Sequence, residues 1–148
     1  MNRSTGSLLL ALTLFGTVGL QVELAFLDHA ESATQWIPHI VLAIGLLAIL
    51  AFYLRPAPVS LKVFTLVMWV FILTGVLGVY FHFAGNVEFA RERRPGLSGL
   101  ELIWRSLRGA TPALAPGALV QLGLLGLIFA YRYGISSHNE SNQPQSNT

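Results

Sequence analysis

Four long apolar runs, residues 8–27, 37–54, 63–83 and 113–131, constrain this chain more than any other feature. Each approaches the ~20 residues that a helix needs to cross ~30 Å of hydrocarbon. Within them the only ionisable residues are Glu23, His39 and His82, each near a span end. Of the 148 residues, 53% are hydrophobic and 11% charged, against roughly 25% charged in a soluble domain. One compact soluble unit of this length would have too small a core to hide that many Leu, Val, Ile and Phe side chains. The expected fold is therefore an all-α membrane protein, a four-transmembrane-helix bundle occupying residues 1–133.

The same composition excludes several function classes. A formal charge of +2 with scattered basic residues makes no dense basic stripe, so nucleic acid is not an expected partner. The absence of cysteine rules out disulfides, thiolate metal sites and Cys nucleophiles. Gly75, Gly78, Gly123 and Gly126 lie inside apolar runs and suit helix packing, because no Gly-rich turn stands between a strand and a helix. Ser and His occur without a nucleophile-elbow pattern. No internal repeat is present.

Proline marks the boundaries. The first run could be read as a signal peptide behind Arg3, but it continues past Gly16 and Gly19 to Leu27, longer than a usual h-region, and an anchored helix fits better. Pro38 suits the opening turn of the second span, and Arg55-Pro56-Ala57-Pro58 closes it into a short hairpin. Pro112 and Pro116 flank the start of the fourth span, where Pro116 could kink the first turn. Between the third and fourth spans, residues 84–112 form a polar segment. In it, Ser98 and Glu101 have capping-box spacing, with Leu97 and Leu102 as the hydrophobic staple. An interfacial amphipathic helix is expected over about 98–109, with Leu100, Ile103, Trp104 and Leu107 as its apolar stripe and Trp104 at headgroup level. Packing of that stripe on the span ends is the alternative. The polar tail, residues 134–148, is expected to be disordered.

Four spans place both termini on one side. That side carries Arg3, Arg55, Lys62 and Arg132, and the other carries Arg91, Arg93, Arg94, Arg105 and Arg108. The count is nearly balanced under the positive-inside rule. The flanks of the first helix, Arg3 before and Asp28 with Glu31 after, favour both termini in the cytoplasm of a bacterial inner membrane.

The polar residues of the spans gather at one depth. Glu23, His39 and His82 belong to three span ends that face the same side, with Asp28, His29, Glu31 and Gln35 just above them. Gly16, Gly19 and Glu23 share one stripe of the first span, and Gly75, Gly78, His82 and Gly85 share one of the third, so both stripes are expected to face neighbouring helices. Gln121 is a further candidate for the interior. Glu23, His39 and His82 together are candidate metal ligands, since imidazole and carboxylate suit Zn, Fe, Mn or Cu. His39 and His82 are alternatively haem ligands, and Glu23 with His82 could serve proton or cation transport. Against these stands hydrogen bonding between helices alone. No ligand pair at i, i+3 or i, i+4 is present, so the leading expectation is a non-enzymatic accessory or assembly component. Its partners would be the lipid bilayer and either another membrane protein or a second copy of the chain.

Overall fold

The computed structural model describes residues 3–27, 32–109 and 111–141, and every regular element among them is a helix. The elements are α1 (Arg3–Phe26), α2 (Ala33–Leu54), α3 (Pro58–Arg93), α4 (Gly99–Leu107) and α5 (Gly117–Ser141). Four of them, α1, α2, α3 and α5, are long and apolar enough to cross a membrane. They form a closed ring in which α1 packs on α2 and α5, and α3 packs on α2 and α5. The amphipathic helix α4 lies between α3 and α5 in the chain and packs on α3 alone among these elements.

The ring interior follows helical spacing. Phe64, Val67, Met68, Phe71 and Gly75 are the buried face of α3, at the three- and four-residue steps that bring side chains onto one side. Phe71 sits against Gly45 of α2. Toward the end holding the termini, Phe52 meets Phe64, Phe129 and Tyr133 with ring centroids 6.0, 5.4 and 5.1 Å apart, joining α2, α3 and α5. Lipid is as apolar as these side chains, so their packing shape rather than water exclusion holds the spans together. The α3–α5 contact is the closest. A Cβ on Gly123 would stand 2.6 Å from the Met68 backbone oxygen, and one on Gly75 would stand 2.8 Å from the Val120 backbone nitrogen.

Several boundaries differ from the sequence expectation, each for a local reason. The second span begins at Ala33, so Pro38 is inside α2 and not in its opening turn. Gln35 Oε1 accepts the Ser32 N–H at 3.0 Å, which satisfies an orphan donor of the first turn and starts the helix early. In the following hairpin, Ser60 Oγ accepts the Ala57 N–H at 3.0 Å and donates to the Arg55 carbonyl at 2.6 Å.

The largest difference is in α3, a single helix of 36 residues. At 1.5 Å per residue it is about 54 Å long, well beyond the ~30 Å hydrocarbon layer. Residues 84–93, expected to open a polar loop, are its last turns. Glu, Arg and Ala favour helix there, and the helix stops at Arg94, whose conformation the following Pro95 restricts.

The short helix α4 starts where Ser98 and Leu97 indicate, but Ser98 makes no side-chain capping bond. Glu101 is drawn instead to Arg105, at 2.9 Å. Leu102 and Ser106 are the buried face of α4, whereas Leu100, Ile103, Trp104 and Leu107 point outward. The expected apolar stripe is therefore free, and its packing on the span ends does not occur. Residues 113–116 form turns rather than helix, so Pro116 precedes α5 and does not kink it. Beyond the fourth span, α5 continues to Ser141, because nothing between Gly134 and Ser141 breaks it. The helix replaces the first part of the expected disordered tail; residues 142–148 lie outside the described residues.

Candidate functional site

The polar chemistry of the bundle is at the end where α1 finishes and α2 and α5 begin. Among the described residues its hydrogen bonds fall into three groups along the helices.

The first group joins α1 to α2. Thr13, Thr17 and Gln21 are spaced by four along the inner face of α1. Thr13 Oγ1 donates to the Leu9 carbonyl at 2.9 Å, and Thr17 Oγ1 donates to the Thr13 carbonyl at 2.7 Å. Both hydroxyls are thus satisfied within the helix, the usual solution for Ser and Thr in apolar surroundings. Gln21 Nε2 donates to His39 Nδ1 at 2.8 Å. His39 is 9% exposed and tilts against Trp36 with ring centroids 5.6 Å apart. Gln21 Oε1 is buried without a hydrogen-bond partner among the described residues.

The second group joins α3 to the segment leading into α5. His82 Nδ1 donates to the Pro112 carbonyl at 3.2 Å. Pro116 packs over Gly78, and the carbonyl of Pro116 approaches Gly75. The α3 stripe expected from the sequence thus faces a neighbour at Gly75, Gly78 and His82, although Gly85 faces open space.

The third group centres on Asn86, which is 3% exposed. Its Nδ2 donates to the carbonyls of Ser106, at 2.9 Å, and Thr111, at 2.7 Å. Its Oδ1 accepts the Thr111 hydroxyl at 2.9 Å and the Thr111 N–H at 3.3 Å. One amide side chain therefore uses both N–H donors and both oxygen lone pairs. Gly109 supplies the room, since a Cβ there would meet the Asn86 amide group. By these bonds Asn86 fixes the C-terminal end of α4 and the start of the chain toward α5 onto the extension of α3.

Glu23 joins none of these groups. It is exposed, as are Gly19 and Gln121, which corrects the expectation that all three face the bundle interior. The reason is the course of the chain into α5: Gly16 meets Leu122 of α5, but the preceding Pro116 leans on α3, and nothing stands within 4 Å of a Cβ placed on Gly19. Of the three candidate ligands, His39 engages α1, His82 engages the α5 lead-in, and Glu23 faces outward. Among the described residues no three His, Asp or Glu side chains gather closely enough to hold a metal ion. Asp28, His29 and Glu31 lie outside the described residues.

Gln21 and Asn86 are the residues that sequence reasoning underweighted. The Thr13-Thr17-Gln21 spacing was a visible signal for an inward polar line on α1. Asn86, one turn after His82 on the same stripe, carried a similar signal for α3.

No family model matches the chain, and comparison with curated proteins and with solved structures gives no significant match. Fold and site together define its class, a small four-span helical membrane protein with its polar groups at one end and an amphipathic helix held there by asparagine.

Proposed function

We propose that the protein is a non-enzymatic component of a membrane complex, housed in a bacterial inner membrane, and that it meets its partner through the outer edge of α1. The observation that carries this reading is the exposed pair Gly19 and Glu23. Glu23 forms no hydrogen bond or ion pair with another side chain among the described residues. A carboxylate on the outer surface of a span is costly against lipid and marks a functional contact. Gly19, one turn away, leaves a notch into which a second helix could close, with Glu23 as its polar anchor.

A photoreactive side chain at Val22 tests the proposal against the same group at Leu73, exposed on α3. The expected result is a discrete cross-linked protein from Val22 and none from Leu73. Interhelical polar contacts contribute about 1–2 kcal/mol, so Glu23→Leu should reduce the yield on the order of tenfold. Equal cross-linking at both sites, insensitive to Glu23, overturns the reading.

The proposal places both termini in the cytoplasm, on the strength of the α1 flanks. Because the chain has no native cysteine, single substitutions can report sidedness. Ser60 is unsuitable, since its hydroxyl ties the hairpin. Val59, 72% exposed, and Glu92, exposed on the polar extension of α3, are better placed. Glu92→Cys is expected to react with an impermeant maleimide on intact cells and Val59→Cys only after lysis. The reverse pattern inverts the orientation.

A further inference from the structure

We propose that the groove between the end of α3 and α4 is a binding site for the headgroup of an anionic phospholipid. The groove has a volume of about 810 Å³ and is lined by Arg93, Arg94, Arg105 and Arg108 against one acid, Glu101. Among the described residues only Arg105 has a carboxylate partner there. Arg93 lies over the Phe89 ring at 4.7 Å and Arg108 over the Trp104 ring at 5.6 Å. Each aromatic face holds its guanidinium by cation–π attraction and leaves its N–H donors unspent. Planar guanidinium groups recognise phosphate oxygens in pairs, so the groove is a preorganised receptor for a phosphodiester.

The apolar side of α4 selects a lipid over a soluble phosphate. Leu100, Ile103, Trp104 and Leu107 are exposed next to this groove and on the same helix as Arg105 and Arg108. A basic amphipathic helix presenting Trp and Leu gains from acyl chains and anionic headgroups together. The Asn86 bonds to Ser106 and Thr111 hold α4 beside α3, so both halves of the site are fixed before a lipid arrives. This site is independent of the α1 edge.

The test uses the full chain purified in mild detergent, with retained lipid measured by native mass spectrometry. Phosphatidylglycerol is expected to be retained at least about tenfold over phosphatidylcholine, since clustered arginines attract the headgroup with a net negative charge and not the zwitterionic one. The double variant Arg93→Gln, Arg108→Gln should bring that ratio close to one, whereas Arg91→Gln, outside the groove lining, should leave it unchanged. An equal loss in Arg91→Gln would mean general surface charge and overturn the site. A ratio near one in the unsubstituted protein also overturns it. So does displacement of the lipid by millimolar glycerol 3-phosphate, which would assign the groove to soluble phosphates. Retention on polyglutamate resin without any lipid preference would assign it to an acidic protein segment instead.

Discussion

Replacing Asn86 with leucine is expected to release α4 from α3 while leaving the four spans assembled. The substitution removes four hydrogen bonds at once, two to carbonyls and two from Thr111. The effects are unequal. Thr111 is exposed and can turn to water, but the bond to the Ser106 carbonyl is buried. The Ser106 carbonyl keeps a long bond from the Gly109 N–H, at 3.4 Å, and losing its short buried donor together with the Thr111 bonds costs about 1–3 kcal/mol. That corresponds to roughly a five- to 150-fold larger population with α4 detached. Hydrogen exchange measures it directly: amide protection over Leu102–Leu107 should fall by that factor, and protection in α2 and in the interior of α3 should not change. Asn86→Asp is the sharper companion. It keeps an acceptor for Thr111 but loses both N–H donors and turns a carboxylate toward two carbonyls, so its effect should be at least as large. Unchanged protection of α4 in both variants would show that Asn86 is not what holds it.

The second large effect is expected at Gly123. A methyl group there would meet the Met68 carbonyl oxygen at 2.6 Å, Ile72 Cγ1 at 2.7 Å and the Ile72 nitrogen at 3.1 Å. Two of these atoms are backbone, so rotamer changes cannot relieve the overlap and α3 and α5 must move apart. Overpacking of this kind costs about 1–3 kcal/mol. Gly123→Ala should therefore lower the stability of the purified protein by about that amount in a detergent unfolding titration, and Gly123→Val by more. Gly117→Ala is the matched control on α5, because nothing stands within 4 Å of its Cβ. It should be neutral or slightly stabilising, since alanine has the higher helix propensity. If the two alanine variants behave alike, the close approach of α3 and α5 does not limit stability.

The two experiments examine different layers of the molecule. Gly123 lies where spans meet in an apolar setting and shape alone decides the contact. Asn86 lies where α3 leaves the span expected from the sequence, and there hydrogen bonds fix a short helix that could not persist by itself, isolated helices of α4's length being marginal in water. A protein weakened at Gly123 should still hold α4, and one altered at Asn86 should still hold its ring.

Much of the architecture was legible from the chain. Apolar runs of membrane-spanning length identified the four spans, and Ser98 with the following stripe identified α4. Proline located the hairpin at Arg55–Pro58. Polarity by itself does not mark a loop. Residues 84–93 are polar yet made largely of helix formers, and α3 simply continues through them until Pro95. Polar residues likewise continue α5 beyond Gly134 and open α2 at Ala33. The candidate site was legible only as a depth. Glu23, His39 and His82 were correctly placed at one end, but sharing a depth does not make residues neighbours, and each points to a different helix or outward.

The sequence by itself determined that the chain spans a membrane with four helices, because backbone groups in hydrocarbon must be satisfied within each segment and helix length is matched to bilayer thickness. Those are local requirements, and a run of side chains expresses them completely. Only the tertiary structure decided which polar residues meet. The tilt of the α5 lead-in onto α3 at Gly75 and Gly78 leaves Gly19 and Glu23 uncovered, and the Asn86 bonds turn the Leu102 and Ser106 side of α4 inward. That choice leaves the Leu100–Leu107 stripe outward and brings arginines distant in the chain to one groove, since the facing of a helix depends on the neighbours that compete for each side.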